Sequence, residues 1–230
     1  MDYNSFLNLS KKKISNEFKM GFKKGQRSPY KKKINLDIHL KLKKIINKKQ
    51  ISFLDVGCGD GLISKYLIKK LNIKDFMLND NNFFLDKIKW CKNKEKISGN
   101  FLRASKKIDK KFNLILCYSV IHYIPKNKFF IFIKKLLKLL SEKGILFLGD
   151  VPDKNLILKF LKTQKGKNYH SKFYKNKINY SKIIKSKKII NHSDLSKFFN
   201  KNNDYSIKFI KQNNSLHYFN FRKDIIIRKK

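Results

Sequence analysis

The chain has 230 residues, 41% of them apolar, and carries 56 Lys and Arg against 16 Asp and Glu, a formal net charge of +40. This length is typical of one α/β domain, and the apolar content supports a buried core, which excludes wholesale disorder. No stretch approaches the roughly 18 uncharged apolar residues of a membrane-spanning helix, and the N-terminus lacks a secretory signal pattern. The three cysteines form no CxxC pair, which disfavours disulfides and metal sites and fits a reducing, cytoplasmic location without membrane insertion.

The positive charge comes almost entirely from lysine. Of the 56 basic residues, 52 are Lys and four are Arg, while Asn occurs 24 times and Ala once. This bias towards residues with A/T-rich codons indicates an AT-rich genome. Bidentate recognition of phosphate or guanine favours arginine. We therefore expect no specific nucleic acid partner and assign the charge mainly to composition, with selected binding to an acidic partner as the alternative.

In chain order, residues 1–33 are predicted to be an N-terminal arm and residues 35–48 a helix. Strands and helices then alternate up to residue 150. The predicted strands cover residues 51–56, 75–79, 96–101, 112–117 and 144–150, and the predicted helices cover residues 61–72, 82–93 and 126–141. Gly144 is expected to end the last of these helices. Such alternation predicts parallel βαβ units.

The pattern loosens after residue 150. Residues 163–192 are polar and rich in Lys and Tyr, and we expect a substrate-covering lid over about 151–192. Ser193 is predicted to cap a helix over 194–202, and residues 205–210 and 216–228 to form a closing strand pair. Residues 34–230 are therefore expected to be a single domain, with a ligand-binding half at about 50–150 and a closing part at 193–230.

The most informative motif is a glycine cluster between the first predicted strand and the helix that follows. Glycine occurs only nine times, yet Gly57, Gly59 and Gly61 fall within five positions of FLDVGCGDG. Glycine permits positive φ and lets a ligand approach the backbone closely. Open α/β sheets bind ligands at such turns. The sixth position of a dinucleotide fingerprint is Leu62 here, and no Lys-Ser/Thr pair follows, so neither that fingerprint nor a P-loop is present.

This string resembles motif I of the class I S-adenosylmethionine-dependent methyltransferases. The resemblance extends over about residues 50–150 and includes FNLILCYSVIHYIP and SEKGILFLGDVP. It implies a Rossmann-like α/β fold, with a mostly parallel seven-stranded sheet and helices on both faces. It also implies a stand-alone enzyme that uses S-adenosylmethionine.

The resemblance assigns cofactor-binding roles residue by residue. Asp55 would face the amino group of the methionine part, and Gly57 and Gly59 would let the main chain pass beneath it. Asp80 would accept both ribose hydroxyls, with a helix N-cap as its alternative role. Asn100 stands where relatives place an acid near the adenine amino group. Further positions implied beside the cofactor are Cys58, Asn81, Phe101, Cys117 and Tyr118.

Methyl transfer from a sulfonium needs a protein base only when the acceptor must lose a proton. His122 and Asp150 are the titratable residues at predicted strand ends facing the site, and both are candidate catalytic residues. The alternatives are that His122 packs against the cofactor and that Asp150 fixes a loop. In the lid, Tyr169, His170 and Tyr174 are either substrate contacts or solvated loop residues. No acidic trio suggests a metal.

We therefore expect methyl transfer to a hydroxyl or amine of a small molecule, with a sugar-like metabolite or glycan precursor as the specific acceptor class. This acceptor rests on analogy with stand-alone relatives. The alternatives are an RNA or protein methyltransferase that uses its lysine surface, and a non-catalytic protein that binds S-adenosylmethionine.

Overall fold

The computed structural model describes residues 30–46, 50–173, 190–201, 203–216 and 219–230. Most of the predicted arm, residues 1–29, lies outside the described residues. In chain order the helices and strands are α1 (Lys31–Lys43), β1 (Ser52–Val56), α2 (Leu62–Lys70), β2 (Asp75–Asp80), α3 (Asn82–Leu85), β3 (Lys96–Ser98), α4 (Phe101–Ala104), β4 (Phe112–Tyr118), α5 (Lys126–Lys138), β5 (Leu140–Pro152), α6 (Lys154–Lys162), α7 (Gln164–Phe173), α8 (His192–Asn200), β6 (Tyr205–Lys211) and β7 (Arg222–Lys229).

The strands form one seven-stranded sheet in the order β3-β2-β1-β4-β5-β7-β6. Strands β1 to β5 are parallel to their neighbours, whereas β7 runs antiparallel to both β5 and β6. The predicted mostly parallel sheet with an antiparallel closing pair is confirmed. Because the order reverses beside β1 and β4, the carboxyl ends of these two strands border the crevice where such sheets bind ligands.

Alternate side chains of each central strand enter the two separate cores on the faces of the sheet. Leu54, Ile115 and Cys117 belong to the core under α5 and α8. Phe53 and Tyr118 belong to the core under α1 and α2. The central strands are buried on both faces, as expected for parallel strands covered by helices on both sides. This alternation also decides which side chains at the strand ends can reach the site.

Two predicted helices differ most from the observed helices in their bounds. The helix expected over 82–93 ends at Leu85, because Ile88 and Trp90 fold back against Gly61 at the start of α2. The helix expected over 35–48 starts earlier, at Lys31, and ends at Lys43. Strand β3 is likewise shorter than predicted, since α4 begins at Phe101.

The prediction that Gly144 ends a helix is wrong. Helix α5 ends at Lys138, and β5 begins at Leu140, so Gly144 lies inside the strand. The pairing of β4 with β5 shifts register between Phe112 and Leu114, and Lys143 adopts the positive φ of this irregularity. A Cβ on Gly144 would lie 2.7 Å from the carbonyl oxygen of Ser141, so close packing explains this glycine.

The loose lid predicted after β5 is helical in its first part. Asp153 caps α6 by accepting a hydrogen bond from the Leu156 amide at 2.8 Å, and Phe160 and Leu161 of α6 are buried. The other carboxylate oxygen of Asp153 accepts a hydrogen bond from the His192 amide at 2.7 Å. Helix α8 begins at His192, so Ser193 lies inside the helix and the prediction that Ser193 caps it is wrong.

The closing strand β7 begins at Arg222, later than the predicted residue 216. Among the described residues, no helix combines the length and apolarity needed to cross a membrane.

Candidate active site

The glycine turn after β1 has a different reason for glycine at each position. All three residues have positive φ, 75° at Gly57, 56° at Gly59 and 66° at Gly61. A Cβ on Gly57 would lie 2.4 Å from Val120 Cγ2, and a Cβ on Gly61 would lie 2.8 Å from Ile88 Cδ1. A Cβ on Gly59 would meet no atom within 4 Å. Gly57 and Gly61 are therefore needed for packing, whereas Gly59 borders open space.

Asp80 ties the end of β2 to this turn. Its Oδ2 accepts a hydrogen bond from the Gly59 amide at 2.9 Å, and its Oδ1 accepts from the Asn81 amide at 2.8 Å. Asn81 caps α3, because its side-chain oxygen accepts from the Phe84 amide. The capping alternative considered for Asp80 therefore belongs to Asn81. The Asp80 carboxylate is held next to the open space at Gly59.

Asp55 is buried beneath the turn with its charge poorly solvated. The Ser64 hydroxyl donates a hydrogen bond to its Oδ2. The pKa of Asp55 is raised to about 7, mainly by burial; the Ser64 hydrogen bond opposes the rise, and the charge of nearby Asp80 adds to it. Near neutral pH, a cation placed beside Asp55 would shift this carboxyl towards its charged form.

On the β3 side, the expected adenine contacts have structural partners. The Asn100 oxygen accepts from the Leu102 amide at 3.0 Å and so caps α4. Phe101 is buried against Phe132, with ring centroids 5.3 Å apart. The Asn100 side-chain oxygen is therefore already engaged in its own helix.

The sequence reasoning missed Asn79, a buried residue that holds the loops around the turn. Its side-chain amide donates to the carbonyl oxygens of Ile97 and Gly99, at 2.9 and 3.1 Å. The main-chain carbonyl oxygen of Asn79 accepts hydrogen bonds from the amides of Gly57 and Cys58. The available signal was an amide side chain inside the apolar strand DFMLND.

Three of the implied cofactor contacts have side chains in the cores. Cys117 is fully buried on the α5 face. Tyr118 lies on the opposite face and packs against Gly149. A Cβ added to Gly149 would lie 2.1 Å from the Tyr118 ring. Cys58 packs with Leu78 in a third cluster. Burial raises the pKa of the thiols of Cys58 and Cys117 well above the usual value.

Two strained residues lie side by side where β4 and β5 approach their carboxyl ends. Ser119 has φ 62° and Asp150 has φ 59°, although neither is glycine. The Ser119 amide donates to the Gly149 carbonyl at 2.9 Å, which joins the two strand ends. Such strain concentrates at functional sites. His122 follows in a short 3₁₀ turn and contacts Tyr123, with ring centroids 4.1 Å apart.

Asp150 is buried and its carboxylate is ion-paired. Arg222 Nη1 donates to Asp150 Oδ2, and Gln212 Nε2 approaches Oδ1 at 3.4 Å. These contacts agree with the loop-fixing alternative for Asp150. The sequence reasoning missed both partners, although Arg222 is one of only four arginines.

Of the three candidate substrate contacts in the lid, two lie in α7. Tyr169 packs against Phe160 and Phe221, with ring centroids 5.8 and 6.3 Å away. His170 is half-buried on the same helix, and Tyr174 lies outside the described residues. The aromatic group of Phe160, Tyr169 and Phe221 joins α6 and α7 to the chain just before β7.

Comparisons with known proteins agree with this architecture. A family model described as a methyltransferase domain matches residues 29–197. The plantazolicin methyltransferase BpumL, solved with a monoazolic desmethylPZN analog and S-adenosylhomocysteine (SAH), is similar in structure with a TM-score of 0.64 at 15% identity, covering 98% of this chain and 92% of that chain. No curated protein sequence matches.

Two other similar structures come from named organisms. An S-adenosylmethionine-dependent methyltransferase from Clostridium acetobutylicum has a TM-score of 0.59 at 15% identity, covering 99% of this chain and 98% of that chain. Magnesium protoporphyrin IX methyltransferase from Synechocystis with bound SAH has a TM-score of 0.60 at 12% identity, covering 100% and 96%. The family model matches most of the length of the chain, and the sheet order is the one described above. The chain therefore belongs to the methyltransferase domain family and is a class I S-adenosylmethionine-dependent methyltransferase.

Proposed function

We propose that this enzyme transfers the methyl group of S-adenosylmethionine to a hydroxyl or amine of a small-molecule acceptor. The observation that carries the cofactor part is the open space at Gly59 beside the Asp80 carboxylate. When bound, S-adenosylmethionine supplies an electrophilic methyl group on a sulfonium. The protein supplies binding, orientation and electrostatics.

The residues around the turn fit the cofactor by their chemistry. Asp80 would accept the ribose hydroxyls, since a carboxylate offers two acceptor oxygens to a diol. Asp55 would interact with the ammonium of the methionine part, and its pKa of about 7 makes its charge responsive to that cation. The main chain at Gly59 would pass beneath the same part, where no side chain intervenes.

A small acceptor is supported by the size and layout of the domain. Helices α6 and α7 are short, and their aromatic group adjoins β7 next to Arg222. The matches with BpumL and with magnesium protoporphyrin IX methyltransferase cover 92% and 96% of those two chains, whose names refer to plantazolicin and magnesium protoporphyrin IX. A sugar or glycan precursor has no support from these comparisons, so we keep the acceptor class as a small molecule.

For an acceptor that must lose a proton, we propose His122 as the base. It follows β4 next to the strained pair Ser119 and Asp150. Proton uptake by Asp150 would break its ion pair with Arg222, which argues against Asp150 as the base. Asp150 then orients the end of β5, and the enzyme gains its rate by holding acceptor and methyl donor in line.

The function is tested by incubating the full-length protein with S-adenosylmethionine carrying an isotopically labelled methyl group. Small metabolites, RNA and protein from the same cells are offered as separate fractions, at low and at physiological salt. We expect label only in small metabolites, each heavier by one methylene unit. Salt-resistant labelling of one RNA or protein would instead support the alternative use of the lysine surface, because nonspecific lysine–phosphate binding weakens steeply with salt. Binding of the cofactor without label in any fraction would support the non-catalytic alternative.

We predict that Asp80→Ala weakens binding of S-adenosylmethionine by about 1.5–3 kcal/mol, the range for hydrogen bonds to a charged group. Asp75→Ala is a matched control, because Asp75 lies at the other end of β2 and pairs with Lys110 on the surface. Titration calorimetry of both variants measures the effect. Unchanged affinity in a folded Asp80→Ala protein would remove Asp80 from the cofactor site.

We predict that Asp55 makes cofactor binding depend on pH. Below its pKa of about 7 the carboxyl is protonated and must lose that proton to pair with an ammonium, so affinity should rise with pH. The slope relative to Asp55→Asn should approach about tenfold per pH unit below pH 7. Calorimetry in buffers of different ionisation enthalpy measures the proton release. Identical pH dependence in wild type and Asp55→Asn would contradict the assignment.

A further inference from the structure

A buried group of charged and polar side chains joins helix α1 to the end of β5. Its centre is the carboxylate of Asp224 on β7, which is fully buried. Asp224 Oδ1 accepts the Asp150 amide at 2.8 Å and Gln212 Nε2 at 3.2 Å. Asp224 Oδ2 accepts Lys41 Nζ at 2.7 Å. Four separate elements or their ends, α1, β5, β6 and β7, therefore meet at one carboxylate.

The ion pair with Lys41 makes a buried charge at this position tolerable. A buried carboxylate without a paired cation is strongly unfavourable. Burial raises the pKa of Asp224, and Lys41 together with the hydrogen bonds from Asp150 and Gln212 opposes this rise. Lys41 also pairs with Asp37 one turn earlier on α1, which fixes the lysine in place.

The same contacts determine the backbone at Asp150. This residue has φ 59°, and β5 shifts its pairing with β7 between Leu148 and Val151. Asp224 accepts its amide hydrogen from one side, while Arg222 and Gln212 approach its carboxylate. A left-handed non-glycine residue persists only when its surroundings hold it there.

We propose that Asp224, paired with Lys41 and bridged by Gln212, is a positioning residue that sets the geometry of the Asp150–Arg222 pair on the acceptor side of the site. This inference rests on the proposed function, in which the base His122 follows β4 next to Ser119 and Asp150, so that the acceptor would bind near the carboxyl end of β5. Asp224 acts through Asp150 and touches neither cofactor nor acceptor. Helix α1 contributes to the same geometry through Lys41, so it does more than cover the core.

The structural test is amide hydrogen exchange at Asp150, measured by NMR on the full chain. Asp224→Asn places an amide opposite the Lys41 ammonium, and Lys41→Met leaves the Asp224 carboxylate without its cation. Both substitutions should weaken the hydrogen bond from the Asp150 amide to residue 224 and speed hydrogen exchange of this amide about tenfold or more. Asp75→Asn, which breaks the surface pair with Lys110, is the matched control and should leave this exchange unchanged.

The kinetic test uses the labelled-methyl assay with the acceptor found by it. We expect Asp224→Asn and Lys41→Met each to lower kcat about tenfold, since small displacements of positioned groups are costly, while the dissociation constant of S-adenosylmethionine stays within about twofold. The double variant should lose less than the product of the two single losses, because both disturb one contact.

The outcomes separate this inference from the proposed function. If wild type methylates no acceptor, the proposed function fails, and exchange at Asp150 still decides whether Asp224 holds that backbone. If Asp150 exchange is unchanged in both variants, or if cofactor affinity falls as much as kcat, the positioning role is overturned. Should Asp224→Asn fail to fold, Lys41→Met decides, since the Lys41 side chain lies at the edge of the group.

Discussion

Gly59→Val is expected to weaken binding of S-adenosylmethionine strongly while leaving the protein folded. Gly59 has φ 56°, and a Cβ there meets no protein atom within 4 Å, so the added side chain projects into the space assigned to the cofactor. Overpacking of a close contact costs up to about 3 kcal/mol. At about 1.4 kcal/mol per tenfold, affinity should fall roughly 100-fold or more.

The control for backbone strain is Lys143→Val. Lys143 has the same φ of 56° but is exposed, near the start of β5 and away from the glycine turn. A left-handed valine is strained in both variants, but Lys143 is already a non-glycine residue, so Gly59→Val should lose about 1–2 kcal/mol more stability than Lys143→Val. Only Gly59→Val should lose cofactor binding in calorimetry. Cofactor binding by Gly59→Val within a few-fold of wild type would mean that the main chain at Gly59 does not pass beneath the cofactor.

His122→Gln is expected to lower turnover roughly 100-fold or more on a hydroxyl acceptor, which is within the range for loss of a general base. Glutamine keeps a hydrogen-bonding side chain of similar length but cannot take the proton. Cofactor affinity should change little if His122 faces the acceptor. Steady-state kinetics with the acceptor, together with calorimetry of the cofactor, separate the two effects.

Two comparisons sharpen this prediction. His39→Gln on α1 is the matched control, because His39 contacts Tyr66 outside the site. Asp150→Asn should lower kcat about tenfold, because it removes the charge that pairs with Arg222 and so displaces a positioning group. A His122→Gln protein that loses cofactor affinity but keeps kcat would instead show that His122 packs against the cofactor. Full turnover in both variants would indicate an acceptor that needs no base from either residue.

The sequence by itself determined the parallel βαβ core and the glycine turn that we propose binds the cofactor. Apolar strands, the scarce glycines at 57–61 and the acid at Asp80 are local signals, because strand, turn and helix follow each other directly. The positive φ at all three glycines and the hydrogen bond from the Gly59 amide to Asp80 agree with that reading.

The lengths and faces of several elements were not readable from local pattern. Ile88 and Trp90 lie at helical spacing from Phe84 and Phe83, yet they fold back because the space beside Gly61 accepts them. Cys117 and Tyr118 are adjacent in sequence but enter opposite cores, since successive side chains of a strand alternate.

The contacts at the proposed acceptor end of the site were decided by tertiary structure alone. Asp150 and Asp224 are 74 residues apart in sequence, and Lys41 lies 183 residues from Asp224, yet all three join one buried group. These contacts exist because β7 inserts antiparallel beside β5 and α1 packs onto the same face. A local sequence pattern does not determine which distant strand becomes a neighbour. The partners of Asp150, and with them its proposed role, are therefore visible only once the strands are assembled in the sheet.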